Sequence, residues 1–408
     1  MTYRSVASRS AEVDKGLGVA YAHAARVTPG HPRLTKLVLE LLVGRRIALV
    51  RDAGDGLDQS APERCAITGE GLVLAEGGGL RGLAEAWCLG EFVVRDLDAI
   101  LSRLASLMVA LSRIPFYGYL RHPWHLLRAS WRRGGSAEDT TKSLAKHYDL
   151  EAAFFRTFLD ESLTYSCAIF RHSNDSLAAA QRNKYRSLTA ALPDLRGASV
   201  LEIGCGWGGL AQFLAGQGAL VTAVSASASQ IAYCRSNRPE SIRFVLGEYR
   251  SALSGKFDAA ISCEMIEGVG GENAPEFMRR VSNCLNVGGT FALQAITTAH
   301  HRMLTSRPEN SYIDKYIFPG GQILSERYIL RCARRAGFSL YSRNSIGSSY
   351  ATTLERWRSS FRDAREQLLD YGCSERFLRC WDLYFSMCMA GFSRGDMDCL
   401  QLVFRRVR

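Results

Sequence analysis

From residue 142 onward, short apolar runs alternate with stretches whose apolar residues recur at helical spacing. Val200-Leu201-Glu202-Ile203 is an apolar run that ends in a glycine-dense turn, Gly204-Cys205-Gly206-Trp207-Gly208-Gly209. A helix is predicted over 210–215, followed by a strand at 219–224 and a helix at 227–236. Further strands are predicted at 242–246, 257–262 and 290–296, with a helix at 274–285 closed by Gly288-Gly289. An amphipathic helix over 179–192 leads into the first strand. Alternation of this length predicts an α/β fold whose parallel sheet carries helices on both faces. The remainder reads as helices at 326–337, 353–369 and 381–392 and a closing strand at 401–404.

The first part of the chain has a different texture. Residues 1–30 read as a poorly ordered lead-in. Residues 31–111 read as a small α+β domain, with a helix at 34–43, strands at 46–50 and 72–74, a helix from Gly82, and helical spacing from Ile100 to Met108. Residues 112–141 form a linker marked by Pro115, Pro123, Gly134 and Gly135. Residues 142–408 form the second, larger domain.

Composition adds two constraints. No run approaches the ~20 apolar residues of a membrane span, and the N-terminus lacks an apolar signal core, so a cytoplasmic protein is expected. The 12 cysteines stand singly with no Cys-x-x-Cys pair, so a zinc ribbon is not expected and no metal is assigned. The net charge of +11 is unevenly placed. No acidic residue lies between Asp98 and Glu138. That segment carries Arg103, Arg113, Arg121, Arg128, Arg132 and Arg133, interleaved with Phe116, Tyr117, Tyr119, Trp124 and Trp131. Such a mixture suits an anionic membrane surface, single-stranded nucleic acid, or a solvated linker whose aromatics pack on a neighbouring domain.

The candidate chemistry lies at the carboxyl ends of the predicted strands, where open α/β sheets bind ligands. A strand ending in glycines lets a ligand approach the backbone, and the following helix N-terminus offers free N–H groups. The spacing of Gly204, Gly206 and Gly208 is not that of the dinucleotide fingerprint. With Glu202 before it, it is similar to the first motif of S-adenosylmethionine (SAM) methyltransferases. The second strand lacks the usual terminal carboxylate and ends Val224-Ser225-Ala226-Ser227, so hydroxyls and Gln230 take that place. Glu248-Tyr249 stands where an adenine ring would be bracketed; the alternative for Tyr249 is a packing aromatic. After the fourth strand come Glu264 and Glu267, either catalytic-loop carboxylates or caps of the next helix. Tyr316-Ile317-Phe318-Pro319-Gly320-Gly321 reads as a rigid aromatic turn walling an apolar pocket.

Taken together, several motifs resemble the cyclopropane-fatty-acyl-phospholipid synthases and the related mycolic acid cyclopropane synthases. They are His147-Tyr148-Asp149, the run from Leu163 to Ala168, the glycine turn, Glu264-Met265-Ile266-Glu267-Gly268-Val269-Gly270, Tyr316 to Gly321, and Tyr350-Ala351-Thr352-Thr353-Leu354. The resemblance covers 142–408 and, more weakly, the first 110 residues. It implies a Rossmann-like class I SAM-dependent methyltransferase domain. The activity it implies is methyl transfer to the cis double bond of unsaturated phospholipid acyl chains, followed by ring closure. Methyl-branched or methylated unsaturated products from the same chemistry, and a non-catalytic lipid-binding protein, are the alternatives. The resemblance implies bicarbonate as the base, held at positions matching Cys167, Glu267, Gln294 and Tyr350. Gln294 departs from the bacterial histidine, although plant members also carry glutamine there. Glu151-Ala152-Ala153 and Gln322-Ile323-Leu324 are further departures. Cys388 matches a cysteine once proposed as a nucleophile, and reads here as a lining residue. The implied cofactor set is Tyr165, Ser166, Glu202, Gly204, Gly206, Gly208, Ser225, Ser227, Gln230, Glu248 and Tyr249. The implied setting is the inner face of a membrane, bound peripherally to unsaturated phospholipids, with a homodimer left open. A nucleic-acid target is disfavoured, because no Asn-Pro-Pro-Tyr-type motif follows the fourth strand.

Overall fold

The computed structural model describes residues 6–24, 48–49, 65–94, 100, 152–305 and 312–407. A seven-stranded sheet in the order β6-β5-β4-β7-β8-β10-β9 organises the larger part. Its strands are β4 (Ser199–Ile203), β5 (Leu220–Ser225), β6 (Arg243–Leu246), β7 (Phe257–Cys263), β8 (Leu285–Thr298), β9 (Phe338–Ser345) and β10 (Met397–Arg406). The order reverses at β4, which pairs in parallel with both β5 and β7. That reversal opens the crevice in which such sheets bind ligands. Val200, Leu201 and Ile203 are buried, as expected of a central parallel strand covered on both faces.

The sheet is not wholly parallel. β10 inserts antiparallel between β8 and β9. The expectation of a parallel sheet is therefore corrected at one edge. β9 was not anticipated: most of its residues are exposed, so its apolar alternation is absent.

Helices begin where a serine can accept from a free N–H of the first turn. Ser176, Ser227, Ser325 and Ser374 each do so, opening Leu177–Thr189, Ala228–Asn237, Glu326–Arg335 and Glu375–Ser393. One aromatic core ties the second half of the chain together. Phe154 is fully buried and meets Phe158, Phe361, Phe377 and Trp381 edge-on.

Two N-terminal expectations change. Within 1–30, the segment Val6–Ala24 is a helix that packs on Glu375–Ser393. Val13 and Leu17 are buried, the Ser374 N–H donates to Ser10 Oγ (2.7 Å) and Ser374 Oγ donates to Asp14 (2.8 Å). Residues 72–74 belong to the helix Gly69–Leu89, not to a strand. Their apolar run reads as β because Gly77-Gly78-Gly79 follows it, but tertiary packing of Leu74, Leu83 and Ala86 overrides that signal. A three-stranded sheet of β1 (Ala48–Leu49), β2 (Cys65–Ile67) and β3 (Phe92–Val94) completes the described N-terminal part, an α+β arrangement. The predicted helix at 34–43, the helical spacing from Ile100 to Met108 apart from Ile100 itself, the basic linker 112–141 and His147-Tyr148-Asp149 lie outside the described residues.

Candidate active site

A cavity of about 650 Å³ opens at the carboxyl ends of β4, β5, β7 and β8. One end is the glycine turn. Gly204, Gly206 and Gly208 all have positive φ (83°, 52° and 79°). A Cβ on Gly204 would strike Met265 at 2.7 Å, whereas a Cβ on Gly206 would meet no protein atom within 4 Å and would project into open space. The turn needs glycine at the first position for packing and at the second for its left-handed backbone.

Glu202 lies beneath this turn. It is 3% exposed, lines the cavity, and its Oε2 has no hydrogen-bond partner. Burial pushes its carboxyl up to about 8, against the opposing pull of Lys184, the Ala211 N–H and Arg238. At the end of β5, Ser225 Oγ donates to Gln230 Oε1 (2.8 Å), which turns the amide of Gln230 within the cavity wall. Ser227 caps the helix that carries Gln230 and is buried behind it. Glu248 and Tyr249 form the next part of the wall. Tyr249 meets Phe277 edge-on at 5.4 Å, so it does pack, yet its buried Oη has no partner. An unpaired carboxylate oxygen, an unpaired hydroxyl and an open left-handed glycine fit a charged adenosyl amino acid. Glu202 would hold its cationic end, Gln230 its ribose and Tyr249 its base.

The other end of the cavity is apolar and aromatic. Tyr165 stacks on Trp357 (4.9 Å, 24°) and donates its hydroxyl to Tyr384 (2.9 Å). Phe318, from the Tyr-Ile-Phe-Pro-Gly-Gly turn, meets Tyr384 edge-on. Ile313, Cys388 and Met397 complete this end, so the expected apolar wall is present. Burial pushes the Cys388 thiol up to about 12, partly offset by the Tyr384 hydroxyl. The side chain is a neutral lining group and not an activated nucleophile. Ser166 is buried and accepts from Lys184 Nζ (3.0 Å). Lys184 itself was not anticipated. It is fully buried on the helix Leu177–Thr189 with its ammonium 4.4 Å from the Tyr185 ring, and the amphipathic pattern of that helix had disguised it as a surface residue.

Between the two ends stands a polar cluster centred on Glu264. Its Oε1 accepts from the Cys167 N–H (2.9 Å), from Gln294 Nε2 (2.8 Å) and from Cys399 Sγ (3.5 Å). Its Oε2 accepts from Tyr350 Oη (2.5 Å). Tyr350 is held by a stack on Phe392 (4.2 Å, 29°). Gln294 is held in turn by Gln401, its cross-strand partner on β10, whose Nε2 donates to Gln294 Oε1 (3.0 Å). Glu264 has φ of 49°; it and Leu163 are the non-glycine residues with positive φ among the described residues. Such backbone strain persists where the surrounding structure over-determines it.

Glu267 lies in the same wall but is bonded differently. Its Oε1 accepts from the Ile296 N–H (2.6 Å) and its buried Oε2 has no partner. Burial first, and the adjacent Glu264 second, push its carboxyl up to about 8. Thus Cys167, Gln294 and Tyr350 come together as the resemblance implied, but Cys167 contributes its backbone N–H, and all of them bond to Glu264. Glu267 stands apart from that set.

The switch-point sheet, the glycine turn and the cavity beside it are those of a class I SAM-dependent methyltransferase. The family described as mycolic acid cyclopropane synthetase matches residues 136–402, and the chain belongs to it. The tuberculostearic acid methyltransferase UfaA1 of Mycobacterium tuberculosis is 35% identical over 336 residues, covering 79% of this chain and 78% of that protein. The cyclopropane-fatty-acyl-phospholipid synthase of Escherichia coli is 33% identical over 264 residues, covering 64% and 67%. Among solved structures, the Mycobacterium tuberculosis cyclopropane synthase MmaA2 superposes with a TM-score of 0.61 at 27% identity, covering 65% of this chain and 98% of that one. The mycolic acid cyclopropane synthase CmaA1, solved with S-adenosylhomocysteine (SAH) and CTAB, gives 0.60 at 26% identity and the same coverage.

Proposed function

We propose that this enzyme transfers the methyl group of SAM to the cis double bond of an unsaturated phospholipid acyl chain, and that the product closes to a cyclopropane. The observation that carries this is the two-ended cavity, with a cofactor cradle at one end and a wall of Tyr165, Phe318, Tyr384, Cys388 and Met397 at the other. Such a wall is mainly apolar and aromatic, and its two hydroxyls bond to each other, so a polar acceptor would lose hydration there for little in return. An alkene has no hydrogen bonds to lose. SAM supplies an electrophilic methyl group when bound. The chain's own groups do the rest. Aromatic faces and carboxylates stabilise the positive charge that methyl transfer leaves on the acyl chain. The apolar walls keep water from quenching it.

We further propose a peripheral setting on anionic membrane, with phospholipid as the partner and the basic aromatic segment 112–141 as the contact. No helix among the described residues is long and apolar enough to cross a membrane.

A second reading has specific support. The 35% identity to a tuberculostearic acid methyltransferase favours a methylated unsaturated chain, which a separate hydride donor would reduce to a methyl branch. Expression in a host with monounsaturated phospholipids, followed by mass spectrometry of the acyl chains, tests both. A ring or a methylene group adds CH2, and mild hydrogenation separates the two; a saturated branch adds CH4. Unchanged acyl chains in a host that accumulates the folded protein would refute both and favour a non-catalytic lipid-binding role.

A further inference from the structure

We propose that Glu264 is a built-in base that takes the place of a bound bicarbonate in this enzyme. The proposal rests on the lipid-methylating function given above. Four donors converge on one small acceptor here: the Cys167 N–H, Gln294 Nε2, Tyr350 Oη and Cys399 Sγ. Three of them belong to residues that the family resemblance assigns to an external anion. In this chain the acceptor is covalently attached. Glu264 acts only as an acceptor in these contacts, which is the hydrogen-bonding role of an ionised carboxylate.

The residues present do not fit an additional small anion in the same place. Its donors are already taken by Glu264, and it would lie against a second carboxyl, Glu267, whose Oε2 is already buried without a partner. Two negative groups sharing one donor set oppose each other, so the Glu264 carboxylate disfavours an added anion there.

Glu264 also meets the geometric needs of a base. It lines the cavity, whereas Cys167 and Gln294 stand behind it, outside the lining. Its left-handed backbone aims a long side chain from the end of β7 into the cavity wall, and that conformation is strained for glutamate. A neutral amide at position 294 suits this arrangement, because it donates to the carboxylate without competing for the proton.

The step balances within the active site. Methyl transfer breaks the sulfur–carbon bond and forms a carbon–carbon bond with the alkene π electrons, leaving a cation on the adjacent carbon. Glu264 then removes a proton from the new methyl group. The electrons of that C–H bond close the third side of the ring, and the protonated Glu264 returns its proton to water after product leaves.

The test uses the purified full-length enzyme with anionic vesicles containing dioleoyl phospholipid, in carbon-dioxide-free buffer with and without sodium bicarbonate. The wild-type rate of SAH formation is expected to be the same in both to within about twofold. Glu264→Gln is expected to lower that rate by about 10²–10⁴-fold, the usual contribution of a positioned base. Glu264→Gly, which relieves the positive φ and vacates the anion position, is expected to be as slow and to regain about tenfold on adding bicarbonate. The 13C signal of labelled bicarbonate should broaden with Glu264→Gly and not with wild type, a readout independent of turnover. SAH affinity, measured by calorimetry, should change by less than about tenfold in both variants, which shows that the cradle is intact.

A wild-type rate that collapses without bicarbonate, broadening of the bicarbonate signal by wild type, or undiminished activity of Glu264→Gln would each overturn the proposal. A wild type that consumes no SAM on any vesicle, with or without bicarbonate, would instead overturn the lipid-methylating function itself.

Discussion

Cofactor binding is expected to release a proton, and Glu202 is the group that releases it. Its carboxyl sits at the end of β4, 3% exposed, with one oxygen unpaired. Burial moves it from an ordinary 4.5 up to about 8. Near neutral pH it is therefore largely protonated in the bare enzyme. A bound ammonium or sulfonium group favours the ionised form. Where the bound state requires that form, each pH unit below about 8 costs about 1.4 kcal/mol of binding. From about pH 8 down to about pH 6, the affinity for SAH should fall by about 50-fold, as the ionised fraction drops from about one half to about 1%. Calorimetric titrations in buffers of different ionisation enthalpy should show about one proton released near pH 6.5 and a release that declines toward pH 8.5. Glu202→Gln should flatten the profile and bind weakly throughout. The bare enzyme should show the opposite trend in stability. A carboxyl raised on folding contributes stability that is fully present below about 4.5 and is lost as pH rises through about 8. Glu267, also pushed up to about 8, acts in the same direction. The melting temperature should therefore fall from about pH 5 to about pH 8, and SAH should reverse part of the fall. An affinity flat across this window, or proton uptake on binding, would refute the assignment of Glu202.

Three other outcomes are expected. Tyr350→Phe removes the hydrogen bond to Glu264 and keeps the stack on Phe392; kcat should fall by about 10–100-fold, from ~1.5–3 kcal/mol for a hydrogen bond to a charged group, while calorimetry finds SAH affinity unchanged. Gly206→Ala and Gly209→Ala should fail differently. The first strains a left-handed residue by about 1–2 kcal/mol and narrows the cradle, so SAH affinity falls by about tenfold or more. The second drives a Cβ to 2.7 Å from the Ser162 carbonyl and the Tyr185 hydroxyl, so the melting temperature falls instead. Reversing charge at Arg121, Arg128 and Arg132 should weaken flotation with anionic vesicles at low salt, and unchanged flotation would remove segment 112–141 from the membrane contact.

The parts of this molecule legible in sequence are those set by local pattern. The β4 run and its glycines announce a ligand turn, because apolar strands and left-handed glycines leave local signatures. The Ser225–Gln230 substitution was also visible, since its partners lie within one strand–helix unit. What escaped depends on distant pairing. β9 carries little apolar alternation because it is an exposed edge. Nothing local distinguishes the insertion of β10 between β8 and β9, which requires pairing with residues about a hundred positions away on β8 and more than fifty away on β9. Lys184 was hidden because a lysine on an amphipathic helix ordinarily marks the solvated side.

Gln294 shows how a departure in sequence becomes intelligible in three dimensions. Taken alone, an amide in place of an imidazole weakens the case for anion binding. In the structure it is the middle of a relay: Ser187 Oγ donates to Gln401 Oε1 (2.7 Å), Gln401 Nε2 donates to Gln294 Oε1 (3.0 Å), and Gln294 Nε2 donates to Glu264 Oε1 (2.8 Å). Each amide orientation is fixed by the one before it, so the Gln294 amide points its two N–H bonds at the Glu264 carboxylate (2.8 Å) and the Cys167 carbonyl (3.3 Å). An imidazole at 294 would have to satisfy Gln401 and Glu264 with two ring nitrogens, and beside a carboxylate it would tend to hold a proton of its own. The position before Met265 and the position at 294 therefore form one functional unit. Gln294→His alone should slow turnover, and Gln401→Leu, which leaves Gln294 Oε1 buried without its donor, should lower kcat while leaving SAH affinity intact. Equal loss of SAH affinity in Gln401→Leu would show that the relay supports the fold of the cofactor cradle and not the orientation of Glu264.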